Sequence, residues 1–445
     1  MTLQPFAIKR TVFGLLSDMF RSLKHRNYRL FFFGQLISLI GTWLQNTALA
    51  WLVWSLTKDA MTLGVISFLG SVPILLLSLY AGTVSDEYPK RSILVITQSS
   101  AGLRSVLVAI AIWTGHVTIV ILGIAALLLG TINAFDMPTR QAFVVEMASK
   151  EDLTNAVALN SSIFNAARLL GPALAGIIIA VLSIATCFFL DGISYIAVII
   201  GLLMMRFDHQ LVRKRLQNVS RLSAMKEGIM YLYSVPQFRA LMFLVIGMTL
   251  FGWSYTVNLP VVAGSLLHGG APEYSALLSA NGAGALLAAL SQAALAGKLD
   301  SRKMLFFGMG AFVAGLLAVS YVHVLWLTVL MMVLIGWGIV TFFITANTTL
   351  QRRVPDELRG RVMSIYSFSF AGLFPFGSLL AGWLASSYGV PDTFRINSAC
   401  LAGFGIPAFL FIRKLPRLTA TPFQAVQELL VSEQEIFEAE QISQG

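Results

Sequence analysis

Three charged residues, Arg104, Arg168 and Asp191, stand inside long apolar runs, and Asp136 lies four residues before Arg140 at the end of another. An ionised side chain facing lipid is costly, so each must meet protein or a wet cavity. A fixed positive charge there attracts anionic groups such as catecholates or carboxylates. It also holds a proton-carrying acid in its charged form. Arg168 with Asp191, and Arg168 with Asp136, are the candidate ion pairs. Asp191 is the deepest carboxylate, and Asp136 or Asp191 would carry a proton. Pro138 between Asp136 and Arg140 predicts a local break or kink. If the helix survives it, the spacing puts both charges on one face. Amides inside the runs, Asn46 and Asn258 above all, supply neutral contacts to a substrate or a neighbouring helix. Trp43, Trp51, Trp54, Phe251, Trp253, Tyr255, Phe343, Phe370 and Phe374 offer flat faces to a greasy or aromatic cargo.

Other chemistry is missing. There is no G-x-x-x-x-G-K-[ST], so no nucleotide drives the protein directly. There is no H-E-x-x-H, C-x-x-C or G-x-S-x-G, which argues against an enzyme and against a metal or other cofactor. His116, His268 and His323 are scattered through loops, and Cys187 and Cys400 make no metal spacing.

The elements that must position these residues follow from composition. Of 445 residues, 57% are hydrophobic and 12% charged, against about a quarter charged in a soluble domain. A crossing helix needs about 20 apolar residues, and twelve crossings of about 23 would use roughly 276. What remains is enough for termini and short loops, not for a large soluble domain. The spans are predicted at 30–56, 61–83, 93–113, 117–135, 153–181, 182–205, 238–264, 274–296, 304–322, 324–346, 358–388 and 394–412. The net charge of +10 is not a nucleic-acid footprint. All Lys and Arg except Lys58, Arg395, Arg104 and Arg168 fall in loops and termini on one side, which the positive-inside rule makes cytoplasmic. Both termini are then cytoplasmic. Residues 1–29 read as a basic amphipathic segment on the membrane surface rather than a cleavable signal. Residues 30–206 read as a six-helix bundle and 207–237 as a cytoplasmic middle loop with a short surface helix. Residues 238–414 form a second six-helix bundle, and 415–445 an acidic cytoplasmic tail.

The halves repeat. Gly82, Asp86, Lys90 and Arg91 between spans two and three match Gly297, Asp300, Arg302 and Lys303 between spans eight and nine. Gly171-Pro172 with Gly176 in span five matches Gly377 with Gly382 in span eleven, spacing suited to close helix packing. Two six-span repeats around a polar loop mark a secondary transporter with parallel halves.

On these motifs the chain resembles the major facilitator superfamily, to about Pro416. The loop at 82–91 is similar to that family's signature, with Tyr88-Pro89 where a glycine is usual. The segments at 41–51, 135–141 and 160–172 resemble the bacterial secretion-transporter branch that contains the enterobactin exporter. The resemblance implies an all-α membrane protein of 12 transmembrane helices in two pseudo-symmetric six-helix halves. It implies a conformational latch at Asp86, Lys90, Arg91, Asp300, Arg302 and Lys303. A gate or coupling group is expected at Asp136, Arg140 and Asp191, and a substrate cavity at Asn46, Arg104, Arg168 and Asn258. The expected function is proton-driven export of an organic small molecule across the bacterial inner membrane by a monomer, a siderophore or similar secreted metabolite leading. A multidrug efflux pump, a lysophospholipid flippase and a non-transporting membrane sensor or scaffold are the alternatives.

Overall fold

The computed structural model describes residues 20–147, 151–206, 221–295 and 300–414, and among them every regular element is a helix. Twelve are long and apolar enough to cross a membrane. Spans one to six are Arg26–Thr57, Ala60–Glu87, Lys90–Trp113, Ile119–Met147, Leu153–Val181 and Ile184–Met204. A surface helix, Arg221–Ser234, precedes spans seven to twelve: Pro236–Leu266, Ala271–Ala294, Ser301–Val319, Leu325–Arg353, Asp356–Tyr388 and Val390–Lys414. The amphipathic stretch before residue 20, Gly297 and the acidic tail lie outside the described residues. Phe20 onward does not continue a surface helix: Arg21–Lys24 is a single 3-10 turn, and span one starts at Arg26.

Short polar connections end and start the spans. Lys58 adopts a left-handed conformation (φ 52°) as the C-cap of span one. The Asp59 carboxylate then accepts from the Met61 and Thr62 N–H groups to cap span two. Ser183 caps span six and Asp300 caps span nine in the same way. Span four runs on through Pro138 to Met147, so the expected break does not occur. One missing N–H is tolerated in a long helix whose other bonds persist. Thr139 Oγ adds a bond to the Phe135 carbonyl at 2.7 Å.

The described residues form two compact units. The first takes those within Met1–Lys214 together with Leu259–Gly282, and the second those within Arg215–Asn258 and Ala283–Gly445. Spans seven and eight therefore each contribute to both. Span seven is irregular near its change of unit, with π-helical turns at Met248–Gly252 and Val262–Leu266 around a 3-10 stretch, Trp253–Asn258. Such turns loosen the regular hydrogen-bond ladder and often mark functional segments.

Each unit repeats the packing of the other. Span one packs on five and six, and three on four and six; span seven packs on eleven and twelve, and nine on ten and twelve. The repeated glycines explain part of this. A Cβ on Gly171 would stand 2.4 Å from Trp43 Cβ in span one, and one on Gly377 would stand 3.0 Å from the Leu250 carbonyl in span seven. Gly176 instead meets Ser275 of the span-eight segment, where a Cβ would stand 2.6 Å from Ser275 Cβ. Gly171→Ala is expected to destabilise the folded protein by about 1–3 kcal/mol through overpacking. Thermal unfolding in detergent would register it; an unchanged midpoint would mean that spans one and five separate freely.

Candidate functional site

Two buried charge networks lie in the first unit, one on each side of span three. Asp191 of span six is fully buried (0% exposed). Ser105 of span three donates to its Oδ2 at 2.7 Å, and Arg104 Nη2 stands 3.8 Å from the same oxygen. Arg104 Nη2 also donates to Gln45 Oε1 of span one at 3.3 Å. Asp191 Oδ1, Arg104 Nε and Nη1, and Gln45 Nε2 are buried with no hydrogen-bond partner. A half-satisfied polar network in a low-dielectric core is held less firmly than a complete one, because each bare atom keeps its desolvation cost. Thr42 Oγ and the Tyr195 hydroxyl, 3.4 Å apart, also join spans one and six.

Asp136 of span four is better served. Gln98 and Thr97 of span three donate to its Oδ1 at 2.7 and 3.0 Å, and Arg140 approaches its Oδ2 at 3.0 Å. Arg140 also donates to Gln35 Oε1 of span one at 2.9 Å. The unbroken helix thus brings Asp136 and Arg140 together.

Neither carboxylate pairs with Arg168, against the sequence expectation. Arg168 is 8% exposed and donates from Nη2 to Asn281 Oδ1 at 2.8 Å. Asn281 belongs to span eight, in the segment that packs into the first unit. Trp51 stacks on Tyr274 of the same segment, with ring centroids 6.0 Å apart. The span-eight segment thus offers Arg168 an amide oxygen.

The four cavity candidates separate. Asn46 is exposed, next to the buried Gln45 of the same span. Arg104 faces the interior of its own bundle. Asn258 is 0% exposed and donates to the Ala381 carbonyl at 3.2 Å, joining spans seven and eleven. In the second unit Trp253, Phe343 and Phe370 meet edge to face, with centroids 4.7 to 5.5 Å apart.

The latch candidates are placed as follows. Asp86 is exposed and has no partner among the described residues. Lys90 pairs with Glu146 of span four at 2.8 Å, and Arg91 donates to the Leu203 carbonyl of span six at 2.7 Å. Asp300 accepts from the Arg302 N–H, Arg302 Nη1 donates to the Ile412 carbonyl at 3.1 Å, and Lys303 is exposed.

One cluster carried no sequence signal. Asp152, just before span five, receives Arg21, Lys24 at 2.8 Å and His25 at 2.7 Å. Ser22 Oγ donates to its carbonyl, and the Tyr28 hydroxyl donates to the Ala156 carbonyl. Lys24 foremost, then His25 and Arg21, hold the Asp152 carboxyl well below the usual carboxylate range. A depressed folded-state pKa contributes stability above the unfolded value, about 3.9, that is lost as pH falls toward the folded one. Residues 20–28 are expected to loosen below about pH 4, and Asp152→Asn to loosen them at neutral pH. Backbone hydrogen exchange over 21–28 should rise several-fold; unchanged exchange would show that the turn is held by packing alone.

A two-repeat, twelve-span helical membrane protein with charges buried inside a bundle has the architecture of a secondary transporter. The model of the transmembrane secretion effector family matches residues 17–440, and the chain belongs to that branch of the major facilitator superfamily. It is 30% identical over 386 residues to the staphyloferrin A transporter of Staphylococcus aureus, covering 86% of this chain and 96% of that one. It is 23% identical to the multidrug efflux pump Tap of Mycolicibacterium fortuitum, over 87% of this chain and 95% of that one. The solved nucleoside transporter NupG shares the fold, with a TM-score of 0.68 at 14% identity over 88% of this chain and all of the other. The family and its relatives are transporters, not enzymes, and this chain is a secondary transporter of small molecules with a multi-pass membrane location.

Proposed function

We propose that the protein exports a siderophore or similar secreted metabolite across the bacterial inner membrane by proton antiport, with both termini cytoplasmic. The carrying observation is the near full-length likeness to a siderophore transporter, at 30% identity. Coupling is assigned to Asp191. Movement of Arg104 away from it would leave a fully buried carboxylate, which favours binding a proton; return of Arg104 would expel it. Asp136, the other carboxylate the sequence offered for this task, serves the cytoplasmic gate with Arg140 instead. Arg168 supplies positive potential to an anionic cargo. Asp86 with Lys90 and Arg91, and Asp300 with Arg302 and Lys303, form the latch that engages during the cycle. A monomer suffices for this scheme.

A second reading, efflux of lipophilic compounds, is favoured by the Trp253, Phe343 and Phe370 rings and by the Tap relative. Inverted vesicles energised to an acid interior test both readings. The expected result is siderophore accumulation that collapses with the proton gradient. Accumulation indifferent to the gradient, or lipophilic dyes taken up while siderophores are ignored, would overturn the first reading.

A further inference from the structure

A cavity at one end of the second unit shares Arg302 with the latch proposed above but is otherwise lined by residues that scheme does not use. The starts of spans seven and nine and the ends of spans ten and twelve meet around it. Its volume is about 40 Å³, and it is open to the surface. Phe238, Leu305, Phe306 and Ile412 form apolar walls, and Arg302 and Arg353 stand among them.

The dipole of span ten favours Arg353 at its C-terminal end, whereas Arg302 stands at the wrong end of its helix. Arg302 sits in the first turn of span nine, where the helix dipole disfavours a cation. One of its donors is used by the Ile412 carbonyl. Arg353, half-buried in the last turn of span ten, makes no ion pair or hydrogen bond among the described residues. Arg352, Lys303 and Arg413 add further bases at the same helix ends. An anion in the cavity would have both guanidiniums in the wall around it, and guanidinium is suited to phosphate oxygens.

The walls say what the anion is attached to. A free phosphate has no use for Phe238, Leu305 and Phe306. Phe306 packs edge to face on Phe409, with centroids 5.0 Å apart, and Phe307 beside it is exposed on the span surface. The cavity therefore joins an apolar lipid-facing surface to a basic pocket at the level of helix ends, where headgroups lie. We propose that it binds an anionic phospholipid such as phosphatidylglycerol. The phosphate lies between Arg302 and Arg353, and the start of an acyl chain runs along Phe238, Leu305, Phe306 and Ile412.

The test uses the full-length protein, delipidated in detergent. It is titrated with phosphatidylglycerol, with phosphatidylcholine of the same chains and with inorganic phosphate, and retained ligands are counted by native mass spectrometry. Phosphatidylglycerol should bind well ahead of phosphatidylcholine and weaken with salt. Arg353→Gln should weaken it about tenfold, and Arg353→Lys less. Arg239→Gln, which removes a base packed on Tyr233 outside this cavity, should leave it unchanged. Equal binding of the two lipids by the wild type would overturn the proposal, whatever the variants do. So would undiminished phosphatidylglycerol binding in folded Arg353→Gln. Competition by inorganic phosphate at the lipid's own concentration would reassign the cavity to a free anion.

Discussion

Asp191→Asn is expected to remove nearly all proton-driven uphill transport while downhill exchange of the same cargo persists. The residue is fully buried, one of its oxygens takes the Ser105 hydroxyl, and the other has no partner. Asparagine keeps the shape and a hydrogen-bond acceptor but cannot exchange a proton. The change also leaves Arg104 buried opposite a neutral group, which costs about 3–5 kcal/mol when one partner of a buried pair is removed. A loss of transport alone would therefore not distinguish coupling from misfolding. Asp191→Asn combined with Arg104→Gln resolves this, because removing both charges of a buried pair is far less costly than removing one. The double variant should regain thermal stability and remain uncoupled. Asp136→Asn should slow transport without abolishing its response to the gradient, since three donors already hold that carboxylate. If both single asparagine variants still drive uphill export with an unchanged pH response, the driving ion or its site lies elsewhere.

The spans were legible because a run of about 20 apolar residues signals a crossing helix without any tertiary information. The glycine repeats were legible for a related reason. Gly171 against span one and Gly377 against span seven make the same inter-helix approach in each unit, so their spacing recurs. The networks were only half legible. Arg104, Arg168, Asp136 and Asp191 stood out because charge inside an apolar run is costly. Their partners Ser105, Thr97 and Gln98 are small or neutral polar residues of the kind found throughout membrane helices, and only the fold places them opposite a carboxylate. Asn258 stood out as an amide inside a span, but its Ala381 partner is a backbone carbonyl, which no side-chain pattern reveals. Asp152 carried no signal at all, since the bases that clamp it are more than 120 residues away along the chain.

Arg168 is the residue whose truncation is expected to cost most after Asp191. Arg168→Ala should leave little transport and Arg168→Lys an intermediate rate, because lysine keeps the charge but loses the planar fork. The structure adds a way to separate two roles for it. Asn281 accepts a bond from Arg168 through a neutral amide oxygen, and a Cβ on the neighbouring Gly282 would stand 2.9 Å from the Arg168 carbonyl. Span five and the span-eight segment are therefore in close contact there, and an amide is released from a guanidinium at lower cost than a carboxylate is. If breaking this contact is a step of the cycle, Asn281→Asp should slow turnover by replacing a neutral bond with a buried ion pair. Asn281→Leu should weaken the contact while leaving the Arg168 charge for the cargo. A pure cargo site predicts a different pattern: Asn281→Asp would raise the apparent KM for an anionic substrate with maximal rate unchanged. Transport at wild-type rate and affinity in a folded Arg168→Ala protein would eliminate both roles.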